Sequence, residues 1–262
     1  MEHHYIGLDI GRNGVKAYTG GQTLYIPSIV GEWRERRLLS RRDDDIEAVF
    51  QGERYFIGNL AANESEFGRY MMTDDKAHFD TLLLALVSIH LAGRSNVSII
   101  TGLPVEHHRP DTKEAMRNLL KGQWDIEVNG NHRKIHIHDV KVAVEGGGAF
   151  WSAPQEGLVR VIDAGSKTVN YVTMRDKRYV DRDSGTLPFG FNTNKTDNPR
   201  QMSARIAGEL GKKWACTDHV LVSGGRAEEL AELLRPYFSK VQPLPNPLFA
   251  NAIGFYRAGG GL

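Results

Sequence analysis

The sequence has one cysteine, almost no net charge and no long apolar run. Cys216 has no partner for an internal disulfide and no metal-ligand spacing around it, so we expect a reducing compartment, the cytoplasm. Lys and Arg number 33 against 32 Asp and Glu, so the chain has no overall positive electrostatic field that would attract nucleic acid or an anionic membrane. No stretch approaches the ~20 apolar residues of a membrane span, and residues 1–4 lack a signal-peptide layout. We therefore expect a protein that is not exported and has no membrane partner.

What the sequence does contain is a pair of short Asp-x-Gly turns, Asp9-Ile10-Gly11 and Asp163-Ala164-Gly165. Each follows an apolar run and precedes a second strand-like segment. Glycine lets backbone N–H groups approach phosphate oxygens, and the carboxylate can hold Mg²⁺ directly or through its waters. A single turn of this kind is commonly an ordinary hairpin. Two copies, one domain-length apart, predict two similar halves that bind the phosphates and metal of one nucleotide.

Periodicity elsewhere predicts an α/β protein. Apolar residues recur at helical spacing over 79–91, and 97–104 is a buried strand that leads into a second helix. The charge-dense segment 32–47 is predicted to be a solvated loop. His136 and His138 alternate with isoleucines and share one strand face, which could in principle bind a metal. No third ligand lies nearby in the sequence, so we assign them no metal.

Two further glycine-rich turns join a strand to a helix. Glu145 stands directly before Gly146–Gly148, where the glycines permit a sharp turn and a close approach of the backbone to a ligand. Taken alone, this carboxylate is either a helix N-terminal acid or a catalytic group. Gly224-Gly225-Arg226 follows the strand 220–223 and lets the chain pass beneath a flat ligand such as a purine.

The order of these segments carries a family resemblance. A phosphate turn is followed by Pro27-Ser28, Thr101-Gly102-Leu103-Pro104, the strand 139–145, a second phosphate turn and the Gly-Gly turn. The series resembles the actin and Hsp70 ATPase superfamily and, within it, the ParM-type bacterial actins that segregate plasmids. The resemblance covers nearly the whole chain.

The resemblance implies an actin-like ATPase fold of the α/β class, with two lobes of related RNase H-like topology. Lobe I would comprise 1–157, with 247–262 returning to it, and lobe II would comprise 158–246. About fifty residues separate the second phosphate turn from the Gly-Gly turn, a short gap for a fold of this kind. The outer part of lobe II, subdomain IIB, is therefore expected to be reduced or absent, as in AlfA-like proteins.

The resemblance also assigns roles to residues. Asp9 and Asp163 would associate with Mg²⁺, and the catalytic residues would be Glu145, which orients the attacking water, and Asp163. The phosphates would be bound at the two turns by Gly11, Arg12, Asn13, Gly14, Lys16, Gly165, Ser166, Lys167 and Thr168. The nucleoside would lie against Gly224, Gly225 and Arg226.

The function implied by the resemblance is a filament-forming ATPase. The cofactors would be ATP, with GTP as the alternative, and Mg²⁺. The partners would be further copies of the chain in a polar filament and a plasmid-encoded DNA-binding adaptor, so that DNA is met only indirectly. One alternative is a small-molecule kinase of the same superfamily, such as a type III pantothenate kinase, although no extra acid-plus-pocket motif is found for a substrate hydroxyl. Another is a scaffold that holds nucleotide without hydrolysing it.

Overall fold

The structure is a computed structural model that describes residues 3–37, 42–71, 76–193 and 198–260. The chain divides into two compact units. Unit 1 consists of Met1–Thr101 and Asp111–Val142, and unit 2 consists of Gly102–Pro110 and Ala143–Leu262. This division describes compactness and not lobe membership, so the lobe boundaries given above stay a prediction.

Unit 1 is built on a ten-stranded mixed sheet flanked by helices. Its elements are β1 (His4–Ile10), β2 (Gly14–Tyr18), β3 (Thr23–Pro27), β4 (Ile29–Glu32), β5 (Ile46–Phe50), β6 (Glu53–Ile57), α1 (Asn59–Glu64), β7 (Arg69–Tyr70), α2 (Phe79–Leu91), β8 (Asn96–Leu103), α3 (Pro110–Leu120), β9 (Gly122–Val128) and β10 (Asn131–Val144). The strands lie in the order β3-β2-β1-β8-β10-β9-β5-β6-β4-β7. Strand β1 pairs antiparallel with β2 and parallel with β8, which places the first Asp-x-Gly turn at one end of β1.

The charge-dense segment of unit 1 differs from the solvated loop predicted for it. Strand β4 extends to Glu32, and Asp45 is buried. The Arg36 guanidinium lies 3.5 Å from the Asp45 carboxylate and 3.0 Å from that of Glu47. Opposite charges that pair with one another can be buried together, and a sequence run of mixed charge does not distinguish this arrangement from solvent exposure. Residues 38–41 of this segment lie outside the described residues.

Unit 2 is built on a six-stranded sheet. Its elements are α4 (Gly147–Trp151), β11 (Leu158–Ala164), β12 (Val169–Arg175), β13 (Arg178–Tyr179), β14 (Gly185–Leu187), α5 (Pro199–Leu210), β15 (His219–Ser223), α6 (Ala227–Leu234), β16 (Lys240–Pro243) and α7 (Ala250–Ala258). Strands lie in the order β13-β12-β11-β15-β16, and β14 pairs with β12. Strand β11 pairs antiparallel with β12 and parallel with β15, so the β11–β12 hairpin repeats the arrangement of β1 with its neighbours in unit 1.

Helices α5 and α6 cover an apolar face of the second sheet. The core there contains Ile162, Val220 and Val222 from the strands and Ile206 and Leu230 from the helices. The side chain of Asn198 accepts a hydrogen bond from the Gln201 N–H and begins α5, with proline in its first turn. Helix α5 ends at Leu210 and β15 begins at His219, so the connection between them is short. None of the helices in the described ranges is both long and apolar enough to cross a bilayer.

Candidate functional site

The first Asp-x-Gly turn contains a carboxylate paired with a lysine. Asp9 is buried near the end of β1 and lies directly opposite Lys16 on β2. Opposed residues of an antiparallel pair share a face, so their side chains meet. The Lys16 Nζ lies 3.4 Å from the Asp9 Oδ2. The turn therefore carries a negative and a positive group side by side.

The backbone of the first turn is tight. A Cβ at Gly11 would lie 2.7 Å from the Lys16 Nζ and 2.8 Å from the Gly14 carbonyl oxygen, so only glycine fits without movement. The Ser28 hydroxyl donates to the Gly11 carbonyl at 2.6 Å. At the tip, Arg12 is half-buried and Asn13 is exposed. The hairpin thus brings together all five residues predicted at this turn in addition to Asp9.

The second Asp-x-Gly turn holds its carboxylate differently. Asp163 is buried at the end of β11. The Ser223 hydroxyl donates to its Oδ1 at 2.7 Å, and the Asn251 amide donates to its Oδ2 at 2.9 Å. The Gly165 N–H donates to the Thr168 carbonyl at 3.0 Å, which closes the turn. Two neutral donors therefore fix both oxygens of this carboxylate.

The loop of residues 188–193 is hydrogen-bonded to the backbone of the second turn. The Phe191 N–H donates to the Gly165 carbonyl at 3.1 Å, and the Asn192 N–H donates to the Ser166 carbonyl at 2.7 Å. A Cβ at Gly190 would lie 2.5–2.6 Å from backbone atoms of this same turn. The loop and the turn are therefore in direct backbone contact, which a side chain at Gly190 would separate.

Glu145 lies at the turn before α4, and its carboxylate is held by a chain of hydrogen bonds. It is buried, and its Oε2 accepts from the Asn170 amide at 3.1 Å. The Asn170 Oδ1 accepts from the Thr186 hydroxyl at 2.8 Å, and the Thr186 oxygen lies 3.4 Å from the donating Glu106 N–H. Asn170 sits opposite Asp163 in the β11–β12 register. The fold therefore places Asp163 and the amide that supports Glu145 on adjacent strands.

The Gly-Gly turn after β15 contacts the end of β11. Gly224 has a φ of +108°, and a Cβ there would overlap the Ala164 carbonyl. The Arg226 guanidinium lies 4.7 Å from the centre of the Phe191 ring and donates to Glu229 at 2.8 Å. A planar cation held over an aromatic ring beside a glycine turn offers a surface suited to a flat ligand.

Comparison with known proteins decides the family. Residues 7–148 match the family described as the N-terminal domain of actin-like proteins. The chain belongs to the actin-like protein family. No curated protein sequence matches it significantly.

Solved structures agree with this family. An AlfA filament from a B. subtilis plasmid, pLS32, is 20% identical with a TM-score of 0.79, covering 96% of this chain and 97% of that one. An AlfA filament bound to AMPPNP is 21% identical with a TM-score of 0.75, covering 96% and 94%. A 15-stranded ParM filament from Clostridium botulinum is 19% identical with a TM-score of 0.83, covering 100% of both chains. The predicted actin-like α/β fold is therefore confirmed.

The side chains that donate to the buried carboxylates of Glu145 and Asp163 are absent from the sequence-based prediction. Ser223 is the last residue of β15, and Asn251 lies on α7, 88 positions from Asp163. One signal was available: Asn251 is the polar residue in the otherwise apolar run Ala250–Ile253, and a buried amide there needs partners. Asn170 gave a weaker signal, because it is the second residue of β12 and stands close to the Asp-x-Gly turn, where asparagine is common.

The side chains of His136 and His138 lie close together on one face of strand β10. The rings of His136 and His138 lie with centroids 3.6 Å apart, and the His3 ring is 5.1 Å from that of His138. Desolvation lowers the pKa of His138, and the neighbouring histidines lower it further. Within the described ranges, no group of three His, Cys, Asp or Glu side chains could hold a metal ion.

The chemistry of the predicted site residues fits a nucleotide with Mg²⁺. Mg²⁺ prefers oxygen ligands and keeps several of its waters, and a buried carboxylate such as that of Asp9 or of Asp163 is a suitable group for it. Phosphate suits backbone N–H groups at glycine turns and the Lys16 ammonium. The Cβ contacts at Gly11, Gly190 and Gly224 show a backbone too close-packed for side chains at these turns.

Proposed function

We propose that this actin-like protein binds and hydrolyses ATP with Mg²⁺, assembles into polar filaments and moves plasmid DNA through a DNA-binding adaptor. The observation that carries the proposal is that Glu145 and Asp163 are both buried and both held by neutral hydrogen-bond donors beside glycine turns. The fold likeness to ParM and AlfA filaments, one of them bound to AMPPNP, supports it.

Each turn has a defined part in nucleotide binding. Asp9 and Asp163 would hold Mg²⁺ through its waters, and the ion would neutralise charge on the phosphates. The backbone at Gly11–Gly14 and Gly165–Thr168 would bind phosphate oxygens, with Lys16 adding a positive charge. The Gly224–Arg226 turn would contact the nucleoside. The nucleotide bound would be ATP in preference to GTP.

Glu145 would act on the attacking water. Phosphoryl transfer depends chiefly on positioning and charge neutralisation, so a carboxylate with a fixed orientation contributes by aligning the water and accepting its proton. Asn170 donates to the Glu145 Oε2 and is itself fixed by Thr186. This chain of hydrogen bonds would restrain the orientation of the carboxylate.

Assembly and cargo complete the proposal. A contact between two different surfaces of successive copies extends into a filament when its rotation does not close into a ring. Hydrolysis after assembly would then weaken the filament. The net charge of +1 suits a chain that reaches DNA through a basic adaptor and not by its own surface.

Light scattering and phosphate release, measured together, test the proposal. We expect scattering to rise on addition of Mg-ATP, with slower or weaker responses to Mg-GTP and to diphosphates, and phosphate to be released without any added acceptor. Glu145→Gln keeps the size and the Asn170 contact but loses the base, so hydrolysis should fall by about 10²-fold or more while assembly persists.

Two results would contradict the proposal. Phosphate transfer that depends strictly on a small alcohol would favour the kinase. Turnover that is undetectable in the parent and unchanged in Glu145→Gln would favour a scaffold that only holds nucleotide.

A further inference from the structure

The side chain of Asn251 joins two parts of the candidate site of unit 2. Its Nδ2 donates to the Asp163 Oδ2 at 2.9 Å. Its Oδ1 accepts from the Gly146 and Ala149 N–H groups, both at 3.0 Å. The amide orientation is determined by this network, because the reversed amide would face two N–H donors with its own NH₂ and a carboxylate with its oxygen.

Asn251 lies on α7, a helix that cannot shift easily relative to α4. Its side chain can therefore fix the position of the groups that it contacts. A Cβ at Gly254 would overlap the Gly148 carbonyl, and a Cβ at Gly148 would overlap the Phe255 ring, so α7 and α4 pack at glycine-to-backbone distance. The Arg257 guanidinium also donates to the Ser152 carbonyl. Helix α7 therefore forms a rigid support for the turn that carries Glu145.

The two arms of the Asn251 amide do different things. The oxygen arm satisfies N–H groups at the start of α4, a short helix whose own N-cap residue, Gly146, makes no side-chain cap. The nitrogen arm touches Asp163, which has no part in that helix. An amide that served only as a helix cap would not need its second arm on a carboxylate.

We propose that Asn251 is a positioning residue that sets the place of the Asp163 carboxylate for Mg²⁺ and ties it to the turn of Glu145. The inference rests on the proposed function, since it assigns the metal to Asp163. Residues that orient metal-binding groups typically change metal affinity or activity 10–100-fold when they are replaced. Asn251 would act in this way through its nitrogen arm.

Asn251→Asp separates the two arms. The new carboxylate still accepts from Gly146 and Ala149, and a negative group is favourable at a helix start. It replaces the donor to Asp163 with a second acceptor, which repels it. Ser152→Ala is the matched control, because it removes a buried hydroxyl that donates to the Ala149 carbonyl at 2.7 Å without touching either carboxylate.

The test measures Mg²⁺ dependence in two ways. The first is the rise in melting temperature with ADP as Mg²⁺ is titrated, and the second is kcat and KM for ATP at saturating and limiting Mg²⁺. For Asn251→Asp we expect the Mg²⁺ midpoint to rise about tenfold or more in both measurements. KM for ATP should rise less, and the apoprotein should melt at the temperature of Ser152→Ala.

Three results are informative. A wild-type Mg²⁺ midpoint in Asn251→Asp overturns the inference. If Asn251→Asp does not fold, Asn251→Ala, which leaves room for a water at the cap, decides by the same midpoint. A wild-type chain that shows neither ATP hydrolysis nor Mg²⁺-dependent stabilisation overturns the proposed function, and the inference with it.

Discussion

The two Asp-x-Gly turns have the same local backbone plan but hold their carboxylates by different chemistry. In unit 1, Asp9 lies 3.4 Å from a lysine ammonium. In unit 2, Asp163 accepts from a serine hydroxyl and an asparagine amide, both neutral. An ion pair cancels charge, whereas neutral donors orient a carboxylate and leave its charge in place. The contacts of Asp9 thus include an opposite charge, and the Ser223 and Asn251 side chains orient both oxygens of Asp163.

The origin of the supporting residues differs in the same way. Lys16 is seven positions from Asp9, directly across the same hairpin. Ser223 and Asn251 are 60 and 88 positions from Asp163. The first turn is built locally, and the second depends on the complete fold of its unit.

The largest expected effect comes from neutralising each aspartate in turn. Asp163→Asn should lower kcat for ATP hydrolysis by about 10²-fold or more, because it removes the charge that the neutral donors orient. Asp9→Asn should lower kcat by only about tenfold, since the Lys16 ammonium is then no longer offset by Asp9 and attracts the phosphates more strongly. Steady-state phosphate release at saturating Mg²⁺ measures both. Equal losses in the two variants would remove the distinction between the turns.

A pair of glycine substitutions should separate the turns by stability. At Gly190 an added Cβ meets only backbone atoms of the second turn, which cannot move away. At Gly14 it meets the ring of Tyr25, which is 40% exposed and can swing aside. We expect Gly190→Ala to lower the free energy of unfolding by about 2 kcal/mol and Gly14→Ala by less than about 1 kcal/mol. Urea unfolding of the apoproteins measures both.

The opposite order, with Gly14→Ala the more damaging, would show that Tyr25 is held rigidly. The anchor would then be its hydroxyl, which donates to the Asn13 carbonyl at 3.4 Å.

The sequence predicts the local parts of this molecule well and the assembled parts poorly. The strands that flank both turns and the helix Phe79–Leu91 follow from periodicity and glycine placement alone. The pairing of Asp9 with Lys16 was not predicted, although it needs only the local register of β1 with β2. The amide of Asn251 beside Asp163 does not, because two residues on different elements meet only through the packing of α7. The buried ion pairs of Arg36 could not be predicted either, since a run of mixed charges is usually solvated.

The smallest expected effect concerns the hydrogen bonds behind Glu145. Thr186→Val removes the hydroxyl that fixes the Asn170 amide at 2.8 Å, so that the amide can turn away from Glu145. We expect kcat to fall about threefold to tenfold with KM for ATP unchanged, because a neutral hydrogen bond contributes about 1 kcal/mol. Ser184→Ala, which removes a buried hydroxyl bonded to the Thr173 N–H and the Val180 carbonyl, is the control. A loss in KM, or an equal loss in the control, would mean that Thr186 supports β14 and not the catalytic carboxylate. If only kcat responds, neutral donors orient the carboxylate of Glu145 for catalysis, as we propose for that of Asp163.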